Sequence, residues 1–192
     1  MQKATLHIRN MISSRDVKVV KEELEKLGAK ELEKTSLGKA VIEFDNKQTN
    51  LRQIEQSLGR QGFEVIKDRD EQLVEQIKVA AIELIYHAGF TNSIIRNSDY
   101  LSDKIGQPYS QLSKAFSDKT GTTLEKYIIL LKIEKVKELI SYNELTLSEI
   151  SYQLGYSSVQ YLSNQFKQIT GYAPTEYKNQ GIQDRRPLDR LV

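Results

Sequence analysis

Hydrophobic and polar positions follow two different patterns along the chain, and the change falls near residue 70. In the segment 4–10, Leu6 and Ile8 alternate with polar neighbours, which predicts a strand with one covered face. The segment 14–27 instead has apolar residues at helical spacing and a glycine directly after it, which predicts a helix that ends there. The first part of the chain is therefore expected to mix strands and helices.

The same two patterns continue to residue 66. Two further strands are predicted at 29–35 and 39–45, joined by a Ser-Leu-Gly turn, and a second helix and a last strand are predicted at 50–62 and 63–66. This element order is that of a ferredoxin-like unit with two helices packed on one sheet face. We therefore predict an α+β protein that begins with a ferredoxin-like βαββαβ domain at residues 1–67.

From residue 71 onward the spacing of apolar residues is helical. An amphipathic helix is predicted at 71–89, a loop or linker at 90–98 and a long helix at 122–140. A Thr-x-x-Glu capping box stands at the start of the long helix and again before a later one. The two pairs are Thr122 with Glu125, and Thr146 with Glu149. The tail 181–192 has no periodicity and is expected to be disordered.

The most informative feature of this helical part is an internal repeat. Residues 112–127 and 162–177 superpose when the chain is shifted by fifty positions, and a repeat implies one structural unit used twice. The positions identical in both copies are Leu112 and Leu162, Ser113 and Ser163, Phe116 and Phe166, Thr120 and Thr170, Gly121 and Gly171, and Tyr127 and Tyr177. Each copy follows a short apolar segment that ends in glycine, at 99–106 and at 147–155.

Each copy therefore consists of a helix, a glycine-containing turn, a second helix and a glycine stop. This is the pattern of a helix-turn-helix, whose second helix enters a DNA major groove. Eighteen residues of the joining helix at 122–140 span about 27 Å, which suits two units about one DNA turn apart. We predict that residues 71–178 form an all-α domain with two helix-turn-helix units, in a sequence-specific DNA-binding transcriptional regulator.

Composition narrows the class of protein without identifying a partner. The 192 residues are 39% hydrophobic and include no cysteine, and no apolar run reaches the roughly 18 residues of a membrane helix. The N-terminus also lacks the apolar segment of a secretory signal, so we expect a cytoplasmic protein without a membrane partner. The segment 71–180 holds 11 basic and 12 acidic residues, and the predicted DNA-binding part is therefore not basic as a whole.

Residues 71–178 resemble the DNA-binding domain of the AraC family of bacterial transcription regulators. The resemblance rests on the paired units, the linking helix YIILLKIEKVKELI and the closing signature LSEISYQLGYSSVQYLSNQFKQITGYAPTEYK. It implies that bases are contacted by Ser110, Gln111, Ser113 and Lys114 of the first recognition helix and by Val159, Gln160, Ser163 and Asn164 of the second. Lys119, Ser157, Ser158 and Lys167 are better placed for phosphates, which orient a protein without reading sequence.

These side chains suit the implied roles. Glutamine and asparagine can pair bidentately with adenine and lysine with guanine, and valine can contact a thymine methyl. Neither recognition helix contains arginine, which we expect to limit affinity, and Lys132 stands where the family usually has arginine in the linking helix. The opposite stripe of the two helices is expected to be core; it consists of Leu112, Phe116, Leu162 and Phe166.

Residues 1–67 look like the heavy-metal-associated domain of copper chaperones and transporting ATPases. The resemblance covers the strand order, Met11, and the segment VIEFD followed by a helix and GFEV. That family binds soft metals through a Met-x-Cys-x-x-Cys loop, but Ser13 and Asp16 replace both cysteines here. We therefore predict that Ser13 and Asp16 cap a helix, and we expect no metal site and no cofactor.

The sequence also bears on three other functions. Catalysis has little support, because His7 and His87 are far apart in sequence and the chain has no phosphate loop, nucleophile motif or acidic cluster at metal spacing. Residues 1–67 are a candidate sensor, dimerisation or interaction module whose effector the sequence does not name. The remaining alternative is an interaction adaptor whose helix-turn-helix pair no longer binds DNA specifically. Double-stranded DNA, a second copy of the chain and RNA polymerase are the candidate partners.

Overall fold

The computed structural model describes residues 1–87, 96–182 and 184–192, and the chain forms two compact units, Met1–Val79 and Ala80–Val192. The first unit is longer than the predicted domain at residues 1–67. Polar contacts explain the difference: Arg9 forms an ion pair with Glu71 at 2.8 Å, and the Asn10 amide donates to the Glu75 carboxylate at 3.3 Å. The helix predicted to open the second domain therefore begins within the first unit.

The first unit has the predicted order of strands and helices. Its elements are β1 (Gln2–Arg9), α1 (Ser14–Lys26), β2 (Lys30–Ser36), β3 (Lys39–Phe44), α2 (Leu51–Arg60), β4 (Glu64–Val65) and the first part of α3 (Arg69–Ile82). The four strands form one antiparallel sheet in the order β2-β3-β1-β4. Its core includes Leu6, Ile8, Val20, Leu24, Ile42, Phe44, Ile54 and Leu58.

The loop before α1 is a helix cap. The Ser13 side chain accepts from the Asp16 amide, and the Asp16 carboxylate accepts from the Ser13 amide at 2.8 Å. This reciprocal pair satisfies backbone donors that the first helical turn leaves without a partner. The predicted capping role of Ser13 and Asp16 is confirmed, and Met11 beside them is fully buried in the core.

The second unit is helical in its described part. After the end of α3 and a single π-helical turn at Glu83–His87, its helices are α4 (Asn97–Ile105), α5 (Tyr109–Thr120), α6 (Leu124–Tyr142), α7 (Leu147–Gln153), α8 (Val159–Thr170) and α9 (Pro174–Asn179). A short 3-10 helix follows at Leu188–Arg190. Most of the predicted loop at 90–98 lies outside the described residues, and its last two residues belong to α4. No helix in the described ranges is both long and apolar enough to cross a bilayer.

Helix α6 organises this unit, because α5, α7, α8 and α9 all contact it. Its start corrects one prediction: Thr123, not Thr122, is the N-cap, and its side chain accepts from the Lys126 amide at 3.2 Å. Thr122 instead donates its amide to the Thr120 hydroxyl. The capping box predicted for Thr146 and Glu149 is present at the start of α7 and is confirmed. One of the two predicted capping boxes is therefore correct.

The tail at 184–192 contacts α6, whereas its lack of periodicity predicted disorder. Asp184 lies 3.1 Å from the Lys137 ammonium, Arg185 pairs with Glu138 at 2.7 Å, and the Arg186 amide donates to Glu134 at 2.9 Å. Leu191 is 8% exposed. The contacts are mostly ionic and join residues about fifty positions apart, so apolar periodicity could not reveal them.

Candidate nucleic-acid interface

The two helix-turn-helix copies are alike in atomic detail. At the end of α5, the Thr120 hydroxyl donates to the Phe116 carbonyl at 2.8 Å, and Gly121 follows with φ +69°. At the end of α8, the Thr170 hydroxyl donates to the Phe166 carbonyl at 2.8 Å, and Gly171 follows with φ +84°. Glycine adopts this left-handed geometry without the steric cost of a side chain. The repeat in the sequence thus encodes the same helix end twice.

Each recognition helix is fixed to the helix after it by an aromatic pair. The ring centres of Phe116 and Tyr127 lie 5.2 Å apart, and those of Phe166 and Tyr177 lie 5.3 Å apart. All four rings are buried, and such pairs stabilise packing beyond the area that they bury. Leu112 and Leu162 are fully buried as well. The predicted core stripe is therefore confirmed, and the opposite faces of α5 and α8 point away from the core.

The predicted base-contacting residues lie on those outer faces. On α5, Ser110, Gln111 and Lys114 are exposed and Ser113 is half-buried. On α8, Gln160 and Asn164 are exposed, and Val159 and Ser163 are half-buried. Each set falls in the first two turns of its helix, which is the part that contacts base edges when a recognition helix enters the major groove.

Two of these residues contact each other in the free protein. The Gln160 side-chain nitrogen donates to the Asn164 side-chain oxygen at 2.9 Å. One turn separates them along α8, so the bond holds both amides on one face. The Asn164 nitrogen and the Gln160 oxygen keep donor and acceptor capacity, because each amide group has two donors and two acceptor lone pairs. The pair therefore presents a joint polar surface rather than two independent side chains.

The predicted phosphate-contacting residues differ in how they are used. Ser158 is the N-cap of α8, and its side chain accepts from the Tyr161 amide at 3.1 Å. Its hydroxyl hydrogen can still donate, since a serine hydroxyl both accepts and donates. Ser157 directly precedes this N-cap, Lys167 lies on α8, and Lys119 lies on α5. All three residues are exposed.

Sequence reasoning missed Tyr161 as a candidate contact. The fifty-residue shift places Tyr161 on Gln111, which was assigned to base contact, so the repeat itself carried the signal. Tyr161 is 53% exposed, and its ring centre lies 6.0 Å from that of Tyr156. The Tyr156 hydroxyl in turn donates to Gln165 at 2.8 Å, which fixes the ring in the turn before α8.

Lys132, noted in the sequence as a departure from the usual arginine, has a specific environment. Its ammonium nitrogen lies 5.2 Å from the centre of the Tyr156 ring, on the side of α6 that faces the α7–α8 turn. Burial lowers the pKa of Lys132, because a half-buried ammonium loses part of its hydration. The aromatic face offsets part of that loss.

A family described as "Helix-turn-helix domain" matches residues 101–180. Residues 101–180 form a helix-turn-helix domain. The match contains α5 to α9 and most of α4, and therefore both recognition helices. The match therefore supports the interpretation of the repeat as two helix-turn-helix units. It does not extend to the elements outside residues 101–180.

Two relatives of the chain are named as regulators. The chain is 35% identical over 81 residues to the xylose operon regulatory protein of Escherichia coli, a match that covers 42% of the chain and 21% of the relative. It is 26% identical over 135 residues to an uncharacterised HTH-type transcriptional regulator of Staphylococcus aureus, covering 60% of the chain and 18% of the relative. The chain thus spans about a fifth of the length of these curated relatives.

Among solved structures, the C-terminal domain of AraT, a response regulator from Geobacillus stearothermophilus, is similar to the chain. The TM-score is 0.49 at 21% identity, and the alignment covers 62% of this chain and 95% of that domain.

Proposed function

We propose that the chain is a sequence-specific DNA-binding transcriptional regulator that inserts α5 and α8 into successive major grooves. The observation that carries the proposal is the duplicated unit: two recognition helices with the same C-terminal end, a corresponding Phe–Tyr pair and a polar outer face, both packed on α6. The 19 residues of α6 span about 28 Å, close to the length of one DNA turn.

The outer faces supply the chemistry that such a regulator needs. The base contacts belong to the residues on the first turns of α5 and α8, and the amide pair of Gln160 and Asn164 is suited to adenine. Lys119, Lys167, Ser157 and the Ser158 hydroxyl contact phosphates and set the register on the duplex. The protein acts in the cytoplasm, where double-stranded DNA is its partner and RNA polymerase a further one.

The first unit is a ferredoxin-like module that senses, dimerises or binds a partner. Support for the fold comes from the βαββαβ order and from the antiparallel strand order β2-β3-β1-β4. The sheet face opposite the core bears Thr5, His7 and Arg9, and is suited to homodimer formation. Arg9 already pairs with Glu64 and Glu71 at 2.6 and 2.8 Å, so a partner would meet Thr5 and His7 first.

One observation favours a second function, that of an interaction adaptor without specific DNA binding. The recognition helices contain no arginine, and the segment 71–180 is not basic. A basic face is the usual electrostatic signature of DNA binding, and arginine is the residue that most often reads guanine.

Selection from random DNA duplexes with the purified chain, repeated at several salt concentrations, separates the two functions. A regulator enriches a site that spans two major-groove segments, and its affinity falls steeply with salt because bound phosphates release counterions. An adaptor enriches no sequence, and that result at every salt concentration would refute the proposed function.

A further inference from the structure

A cavity of about 370 Å³ lies within the second unit between the two helix-turn-helix copies. We call it the central cavity; its walls include Tyr109 at the start of α5, Glu125 and Lys132 of α6, and Ser157 and Tyr161 beside the start of α8. Both recognition helices therefore border it with their first turns.

Among the described residues that line this cavity, Lys132 is the cationic one. Its ammonium lies over the Tyr156 ring, and among the described residues no carboxylate lies within ion-pair distance of it. By contrast, the other two lysines in the middle of α6, Lys135 and Lys137, are both paired with glutamates of the same helix. A half-buried cation without a counter-charge gains free energy when an anion enters its cavity.

The position of the cavity between the two recognition helices indicates which anion enters it. Recognition helices contact base edges with their first turns, and two of them in successive major grooves must straddle the backbone that separates those grooves. Residues of the cavity wall adjoin the candidate base contacts: Tyr109 precedes Ser110, and Tyr161 follows Gln160. We propose that the central cavity receives the DNA phosphate backbone between the two major grooves and that the Lys132 ammonium contacts it, an inference that rests on the proposed function.

Glu125 gives the proposal a second and opposite test. Its carboxylate lines the same cavity and accepts from the Tyr109 hydroxyl at 2.9 Å. A carboxylate near the entering phosphate opposes it, so Lys132 and Glu125 must affect DNA affinity with opposite sign. In Glu125→Gln the side-chain oxygen still accepts from Tyr109, and the variant changes the charge while keeping the contact.

The experiment measures DNA affinity by fluorescence anisotropy over a range of salt concentrations, with the full chain and both a selected and an unrelated duplex. Lys132→Met should weaken binding to both duplexes by about threefold to tenfold at low salt and make the logarithmic salt dependence shallower by about 0.9. Lys132→Arg should retain the salt dependence, and Glu125→Gln should bind more tightly. The charge-matched control is Lys178→Met, at an exposed site near Ile140 and Asn143 at the far end of α6, which should bind as the unchanged chain does.

The outcomes separate this inference from the function on which it rests. If the unchanged chain binds DNA with a steep salt dependence, but Lys132→Met and Glu125→Gln match it, the central cavity does not face phosphate and the inference is refuted alone. If the unchanged chain shows no salt-dependent binding, the proposed function and the inference both fail. Thermal unfolding reports whether Lys132→Met is folded; should it unfold, Lys132→Arg and Glu125→Gln decide the question.

Discussion

Lys137 is a buried ammonium at the junction of α6 and the tail. Its side chain is 4% exposed, as is that of Glu134, and the two charges are 3.0 Å apart. Lys137 also lies 3.1 Å from the Asp184 carboxylate and donates to the Asp184 carbonyl at 3.2 Å. The Tyr177 hydroxyl donates to the same carboxylate at 2.7 Å. One cation therefore balances two carboxylates, of which Glu134 is almost fully buried.

The substitution Lys137→Met removes this cation and keeps the shape of its stem. Glu134 would then be a buried charge that accepts a hydrogen bond from the Arg186 amide at 2.9 Å. Removing one partner of a buried ion pair costs about 3–5 kcal/mol. For a unit of this size, that loss lowers the midpoint of thermal unfolding by roughly 10–20 °C.

The assay is thermal and urea unfolding of the full chain, followed by far-ultraviolet circular dichroism. The double variant Glu134→Leu/Lys137→Met should recover most of the lost stability, because it removes both buried charges together. Lys178→Met, at an exposed site, is the control for loss of a lysine and should change stability by less than about 0.5 kcal/mol. If Lys137→Met lowers the free energy of unfolding by less than about 1 kcal/mol, the pair of Lys137 and Glu134 contributes no more than an exposed ion pair does, and the reasoning is refuted.

Three further predictions concern the recognition surface and the first unit. Gln160→Ala and Asn164→Ala should each weaken specific DNA binding by about 1–3 kcal/mol with little effect on non-specific binding. The double variant should lose less than the sum of the two, because the two amides share a hydrogen bond. Equal losses of affinity for specific and non-specific DNA would contradict base contact. Burial raises the pKa of Glu75, so its ionised form is disfavoured in the fold, stability falls as pH rises through the folded pKa, and Glu75→Gln should raise the unfolding midpoint at pH 7. Hydrogen bonds from Lys21 and then Thr35 lower the pKa of Glu31 from 4.5 to about 2, so its contribution to stability is complete above pH 4.5 and is lost toward pH 2; Glu31→Gln should flatten this acid dependence in equilibrium unfolding.

The helices and strands were largely predictable, because apolar spacing reports which face of an element is covered. The repeat added more: it related Thr120 to Thr170 and Phe116 to Phe166, and the structure gives each pair the same contacts. The outer faces of α5 and α8 followed from the same pattern, since the buried stripe leaves the opposite side exposed. Their contacts with DNA stay predictions.

Other features depended on contacts that spacing does not encode. Thr122 and Glu125 match the sequence pattern of a capping box. The Thr120 hydroxyl, however, forms hydrogen bonds with the Thr122 backbone, and the N-cap is Thr123, one residue later than predicted. The extent of the first unit depends on the pairing of Arg9 with Glu71, which are 62 positions apart. Polar contacts over such distances become visible only when the fold brings the partners together.

Gly181 has a consequence for the number of repeats that the chain can stack. The fifty-residue shift places it on Leu131, in the middle of α6, so α9 corresponds to the first part of the linking helix. Where α6 continues with leucine, Gly181 has φ +61° and the helix has ended. The tail then turns to the flank of α6 and satisfies its buried charges. In solenoid proteins, a terminal repeat needs a polar outer surface, which a capping element supplies. By this comparison, α9 and the tail form the capping element of the second repeat.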